Sequence, residues 1–164
     1  MFKSVLLLFL IGHLLGDFYL QSNKLALAKD VSFKQLLKHG FIYLCSMLIV
    51  VIPVFNVELV SCAVVISLIH FIIDFIKYLM KTMKPSFSQV KYDYNFYLLD
   101  QFAHIVTIIL VWIILYLFSK YPIQYLNIIQ FIINDTDLDI VNLLSWLFIL
   151  LLITKPFSIT IKKV

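Results

Sequence analysis

Charge is scarce in this chain, and one kind of it is missing. Only 13% of the 164 residues are Asp, Glu, Lys or Arg, and all thirteen basic ones are lysine. With 63% hydrophobic residues and a mean hydropathy of +1.03, a soluble domain of this size could not hide its apolar side chains. An integral membrane protein is the class left standing. The two cysteines, Cys45 and Cys62, both fall in apolar segments, which argues against a disulfide or a thiolate–metal site. With three glycines in the chain, no Gly-rich phosphate loop and no nucleophile elbow can be found. The net charge of +4 is ordinary for a membrane protein and makes no case for nucleic acid.

What the chain does have is long apolar runs. Five reach near-spanning length, at about 4–20, 39–54, 57–80, 98–118 and 140–153. The first carries His13 and Asp17 and shows no small-residue cleavage site, so it reads as a retained helix rather than a signal peptide. An all-α polytopic bundle is expected, a single membrane domain over 1–164. Short amphipathic helices at the interface would join it, such as the lysine-rich stretch after Gln21 and the apolar 123–133. Lysine placement orients it. With loops 21–38 and 81–97 and the C-terminus inside, the inner side holds Lys24, Lys29, Lys34, Lys38, Lys77, Lys81, Lys84, Lys91, Lys155, Lys162 and Lys163. The outer side, with loop 119–139, holds Lys3 and Lys120. Positive-inside logic then gives N-out, C-in, in a cytoplasmic membrane.

Against that apolar background, three His/Asp pairs recur at a spacing of four: His13 with Asp17, His70 with Asp74, and Asp100 with His104. On a helix this spacing puts both side chains on one face. The order reverses when the helix direction reverses. In all three pairs the His is therefore expected deeper and the Asp nearer the cytoplasm, with His39 at the same level. Ionisable groups inside a membrane helix are costly and are functional hypotheses by default.

Three carboxylates crowded in low dielectric repel one another, and divalent cations relieve that. One ion with three Asp leaves the site at minus one; two ions with a bridging hydroxide reach neutrality. Imidazole with carboxylate oxygen suits Zn, Mn or Fe better than Ca or Mg, so a site for one or two ions, Zn or Mn foremost, is expected. The metal-ligand pool is His13, Asp17, His39, His70, Asp74, Asp100 and His104. Asp17, Asp74 and Asp100 are also the candidate catalytic residues, one of them as general base. Gln21, Lys29, Lys77 and Gln101 are candidate substrate contacts, the lysines toward an anionic headgroup, although boundary placement explains them equally well. Gly12 and Gly16 form a small-xxx-small pair for close helix packing. Asp135, Asp137 and Asp139 look like the start of a calcium loop, but Ile140 stands where its glycine belongs and no Glu follows at the twelfth position.

The series His13-Leu-Leu-Gly-Asp17-Phe-Tyr-Leu-Gln21, Lys29, His39, His70-Phe-Ile-Ile-Asp74-Phe-Ile-Lys77 and Asp100-Gln101-Phe-Ala-His104 resembles the bacterial and phage membrane family called domain of unknown function 3307. Thr154-Lys155-Pro156 is similar to that family's Lys/Arg-Pro step. The resemblance covers most of the chain, as a short member, and implies the residue set without implying an activity.

The expected function is hydrolysis or transfer of a phosphoryl or acyl group on a lipid-linked substrate at the cytoplasmic leaflet, with membrane lipid as partner. Homo-oligomers are compatible with it. A metal-ion or proton transporter is the alternative, and a scaffold with a structural metal a third. Few helices, no visible inverted repeat and apolar outer halves speak against transport.

Overall fold

In a computed structural model of the chain, residues 2–83, 90–119, 123–136 and 138–158 are described. All regular structure among them is helical. There are seven α-helices: α1 Phe2–Leu14, α2 Asn23–Ala28, α3 Phe33–Val51, α4 Val57–Met83, α5 Val90–Phe118, α6 Asn127–Thr136 and α7 Ile140–Leu152. Two of them run on into single π turns, α1 through Leu15–Tyr19 and α7 through Ile153–Phe157. Five segments are long and apolar enough to cross a membrane: Phe2–Tyr19, Phe33–Val54, Val57–Met83, Phe96–Phe118 and Ile140–Phe157.

The bundle is inside-out relative to a soluble protein. On α4 the buried face reads Leu59, Ala63, Ile66, Ser67, His70 and Asp74, whereas Leu68, Ile72 and Ile76 are exposed. The ionisable residues point inward and share the buried face with Leu59 and Ile66, while large aliphatic residues cover the outward face, the pattern that lipid rather than water demands. The architecture is that of a multi-pass membrane protein.

Successive long helices run antiparallel. Connection 20–32, the end of α4 and the start of α5 therefore lie at one end, and the α3–α4 connection and the end of α5 at the other. There, Leu126 N–H donates to Pro53 O at 2.9 Å and Ser119 Oγ to Glu58 Oε2 at 2.5 Å. Near that far end Phe9, Met47, Val50, Ile108 and Val111 form a continuous apolar core.

Several boundaries differ from hydropathy. The second span starts at Phe33, because Lys34 and Lys38 share an exposed face four residues apart while Leu36 and His39 face inward. Averaging over the window hides such a helix start. α5 likewise begins at Val90, well before its apolar stretch. α6 shows polar Gln130 and Asn134 bonded to each other at 3.0 Å, with Ile128, Phe131 and Ile132 exposed, as an interfacial helix would. Asp139 is not a calcium ligand here but the N-cap of α7, accepting from Val141 N and Asn142 N; Asp137 lies outside the described residues. Also outside them are Lys84, Lys120, Lys162 and Lys163, and the side chains of 90–95.

Candidate metal centre

Asp17 sits in a π turn, where Leu20 N–H reaches back to Leu15 O at 2.8 Å. The extra residue per turn swings Asp17 inward, and π turns of this kind often mark functional sites. α1 can come this close to α3 because Gly16 lies against Tyr43, with a Cβ placed there only 2.7 Å from the tyrosine ring. The end of α7 secures the turn from outside. Lys155 Nζ donates to Phe18 O at 2.5 Å, and Tyr19 Oη donates to Leu151 O at 2.7 Å.

The three pairs do converge, from α1, α4 and α5, and His39 joins them from α3. All seven side chains are buried: His39 is fully enclosed, and Asp100, the most open, is 8% exposed. His39 Nε2 and His70 Nε2 face each other at 3.1 Å. Asp17 Oδ1 lies 3.2 Å from the first and 3.3 Å from the second; Asp74 Oδ2 lies 3.3 Å and 3.5 Å away. These distances are five of the six edges of a four-atom figure. A tetrahedral ion with bonds of about 2.0–2.1 Å has ligand–ligand edges of about 3.3–3.4 Å. The sixth edge, between Asp17 Oδ1 and Asp74 Oδ2, is not fixed by the other five. The triads whose ligand atoms all lie within 4.8 Å of one another are His13–Asp17–His70, His39–His70–Asp74 and Asp74–Asp100–His104, and their donor types suit zinc or a similar ion.

The remaining pool members surround this set. His13 Nδ1 is 3.2 Å from Tyr43 Oη and 3.8 Å from Asp17 Oδ2, which suits an orienting role on Asp17. Tyr43 in turn stacks on His70, with ring centroids 3.6 Å apart and planes 8° apart. His104 Nε2 stands 3.6 Å from Asp100 Oδ1 and 3.9 Å from Asp74 Oδ1.

Lys29 is deeper than a headgroup contact would be. Its ammonium donates to Asp74 Oδ2 at 2.8 Å, lies 3.0 Å from His39 Nε2 and 4.0 Å from Asp17 Oδ1. Burial alone would push this lysine down, but Asp74 and Asp17 outweigh it and hold it above the usual lysine range. It therefore stays cationic and offsets carboxylate charge. Lys77 is tied to Asp100 at 3.4 Å and to Asp30 at 3.5 Å, and Lys81 to Asp30 at 2.5 Å. Gln101 Nε2 donates to Asp100 Oδ2 at 3.4 Å and to Asp17 Oδ2 at 3.5 Å.

Against the cluster lies a cavity of about 340 Å³. Asp17, Gln21, Lys29, Lys77, Asp100 and Gln101 border it, together with Asp30, Lys81 and Lys155; Phe18, Leu27 and Tyr97 supply apolar wall. All four sequence-proposed substrate contacts are thus on one cavity. Tyr43 and Asp30 were not legible as site residues, although Tyr43 stands four positions after His39, the spacing that marks the other pairs.

A helical multi-pass membrane protein with a buried His/Asp cluster at one end of its bundle is the class these features define. More particularly, the chain belongs to the family described as "Protein of unknown function (DUF3307)", which matches residues 5–133. The match takes in every member of the cluster and ends before α7. Comparison with curated proteins and with solved structures finds no match.

Proposed function

We propose that the protein is a metal-dependent hydrolase or transferase acting on a phosphoryl group of a lipid-linked substrate. The observation that supports it most is the convergence of Asp17 and Asp74 oxygens on His39 Nε2 and His70 Nε2, each within 3.5 Å, beside a cavity bordered by Lys29, Lys77, Lys81 and Lys155. Lys155 favours a phosphoryl over an acyl group, since its ammonium is bonded to a backbone carbonyl, whereas Lys29, Lys77 and Lys81 are paired with Asp74, Asp100 and Asp30. The apolar wall of Phe18, Leu27 and Tyr97 suits a lipid tail.

His39, His70, Asp17 and Asp74 would hold a divalent zinc or manganese ion, which would supply Lewis acidity toward a phosphoryl oxygen and lower the pKa of a bound water. In hydrolysis the water oxygen bonds to phosphorus, the bond to the lipid oxygen breaks, and the water proton passes to a carboxylate, which hands it on to the departing lipid oxygen. Asp17 and Asp100 are the carboxylates that face both cluster and cavity, so they are the acceptors in reach. Gln101 orients both through its amide. Lys77 and Lys155 hold the anionic headgroup in this reading.

Lysine placement supports a cytoplasmic side for the cavity. Among the described residues, Lys24, Lys29, Lys34, Lys38, Lys77, Lys81 and Lys155 lie at the cavity end and Lys3 at the other. The cavity then opens to the cytoplasmic leaflet of a cytoplasmic membrane, N-out and C-in. Transport fits less well, because Phe9, Met47, Val50 and Ile108 pack the bundle beyond the cluster, where the buried polar side chains among the described residues are the serines Ser4, Ser46 and Ser67 and none is ionisable.

The test is phosphate release. Purified protein loaded with Zn²⁺ or Mn²⁺, in mixed micelles with a diacylglycerol phosphate or a polyprenyl phosphate, is expected to liberate inorganic phosphate. His70→Ala should lower the rate at least 100-fold, about 2.7 kcal/mol of barrier. Metal-loaded, folded protein that releases phosphate from neither lipid would overturn the reading.

A further inference from the structure

The four-atom set has a shortcoming as a reaction centre. Four protein ligands close a tetrahedral ion, whereas catalytic sites keep a position open for water or substrate. The structure offers that open position next door, through the other oxygen of Asp74.

Asp74 Oδ2 faces His39 and His70, but its Oδ1 faces His104 and Asp100 instead. Three atoms face one another there, with Asp74 Oδ1 and Asp100 Oδ1 at 3.9 and 3.6 Å from His104 Nε2, in residues that offer ligand atoms within 4.8 Å of one another. None of the three has a hydrogen-bond partner, and their residues are 3%, 8% and 2% exposed. Burying one polar atom without a partner costs about 1–3 kcal/mol, and three aimed at a common point call for a shared occupant. Two carboxylate oxygens and an imidazole nitrogen specify a cation, and the donor types specify zinc or manganese. His104 is fixed for it by packing, its ring tilted against His70 at 4.1 Å.

Spacing separates this set from the first. Its edges to His104 are 3.6 and 3.9 Å, wider than the tetrahedral edge of about 3.3–3.4 Å. Three ligands spread that far leave room for further oxygen ligands, and Asp100 borders the cavity from which they would come.

We infer that Asp74 bridges two divalent ions, one closed within Asp17, His39 and His70, the other open to the cavity on Asp100 and His104. The inference rests on the metal-dependent reading above and adds the second ion and its place. Ions bridged in this way stand about 3.5–4 Å apart, the separation at which a pair can clamp a transferring phosphoryl group. A phosphate dianion brings two negative charges, matching the second ion.

Manganese titration followed by electron paramagnetic resonance tests this on the full chain in detergent. Wild type is expected to bind two Mn²⁺ with a spectrum of an exchange-coupled pair. His104→Gln and, separately, Asp100→Asn should bind one, with the uncoupled six-line spectrum. The retained first ion shows that these variants are folded. A wild type that binds a single Mn²⁺, unchanged by either substitution, would overturn the second site while leaving the mononuclear reading intact. Two uncoupled ions would overturn the Asp74 bridge. Binding of no ion at all would overturn this inference together with the reading it rests on.

Discussion

Asp74→Asn should strip the protein of bound metal. Asp74 is the side chain on which the cluster converges: one oxygen lies within 3.5 Å of His39, His70 and Lys29, the other near His104. Replacing outer-sphere partners of metal ligands typically costs about 10–100-fold in affinity, so loss of a shared ligand should exceed 100-fold. Phosphate release should fall to background with it. The amide keeps an oxygen for Lys29, which limits destabilisation. Removing the partner of a buried charge outright, as in Asp74→Ala, would cost about 3–5 kcal/mol. Asp30→Asn is the control, because Asp30 pairs with Lys77 and Lys81 outside both ligand sets and should leave metal content unchanged. Metal content and melting temperature of the three proteins, measured side by side, check this. Asp74→Asn with full metal content would refute the assignment.

Gly16→Ala is the second large effect, and it acts through packing. A Cβ at Gly16 would stand 2.7 Å from the Tyr43 ring and 3.3 Å from Tyr43 Cα, so backbone as well as side chain must move. Overpacking of that kind costs about 1–3 kcal/mol. The displaced ring is the one stacked on His70 and bonded to His13, so metal affinity should drop at least tenfold. Gly12→Ala makes the comparison. Its Cβ would meet Met47 Sδ and Val50 Cγ2, both at 2.8 Å, and both residues belong to the apolar core rather than to the ligand sets. Both substitutions should lower stability, and only Gly16→Ala should weaken metal binding. Equal metal affinity in the two would separate the packing seam from the site.

Much of this was legible in sequence because the membrane imposes few rules strongly. Apolar runs announce spans, and a His/Asp pair in such a run has no cheap explanation, so the three pairs and His39 stood out before any coordinates. Their convergence followed from the reversal of order between α4 and α5. Other features were hidden for physical reasons. The π turn at Asp17 arises from hydrogen-bond register, which leaves no compositional mark. Lys29 looked like an interfacial lysine because its four-carbon stem lets a loop residue reach the cluster. Tyr43 was lost among apolar neighbours on α3, and Asp30 among the charges of loop 21–38. The two faces of Asp74 depend on how one carboxylate is rotated, which no spacing encodes.

The most direct measurement is elemental analysis of the detergent-solubilised protein, purified without chelator, beside an Asp17→Ala/Asp74→Ala double variant of equal monodispersity. The account expects one to two equivalents of zinc, manganese or iron per chain in the wild type and none above background in the variant. No metal in either, even after dialysis against Zn²⁺ and Mn²⁺, would contradict it. The His/Asp cluster would then stand as a buried hydrogen-bonded network around the Lys29 ammonium.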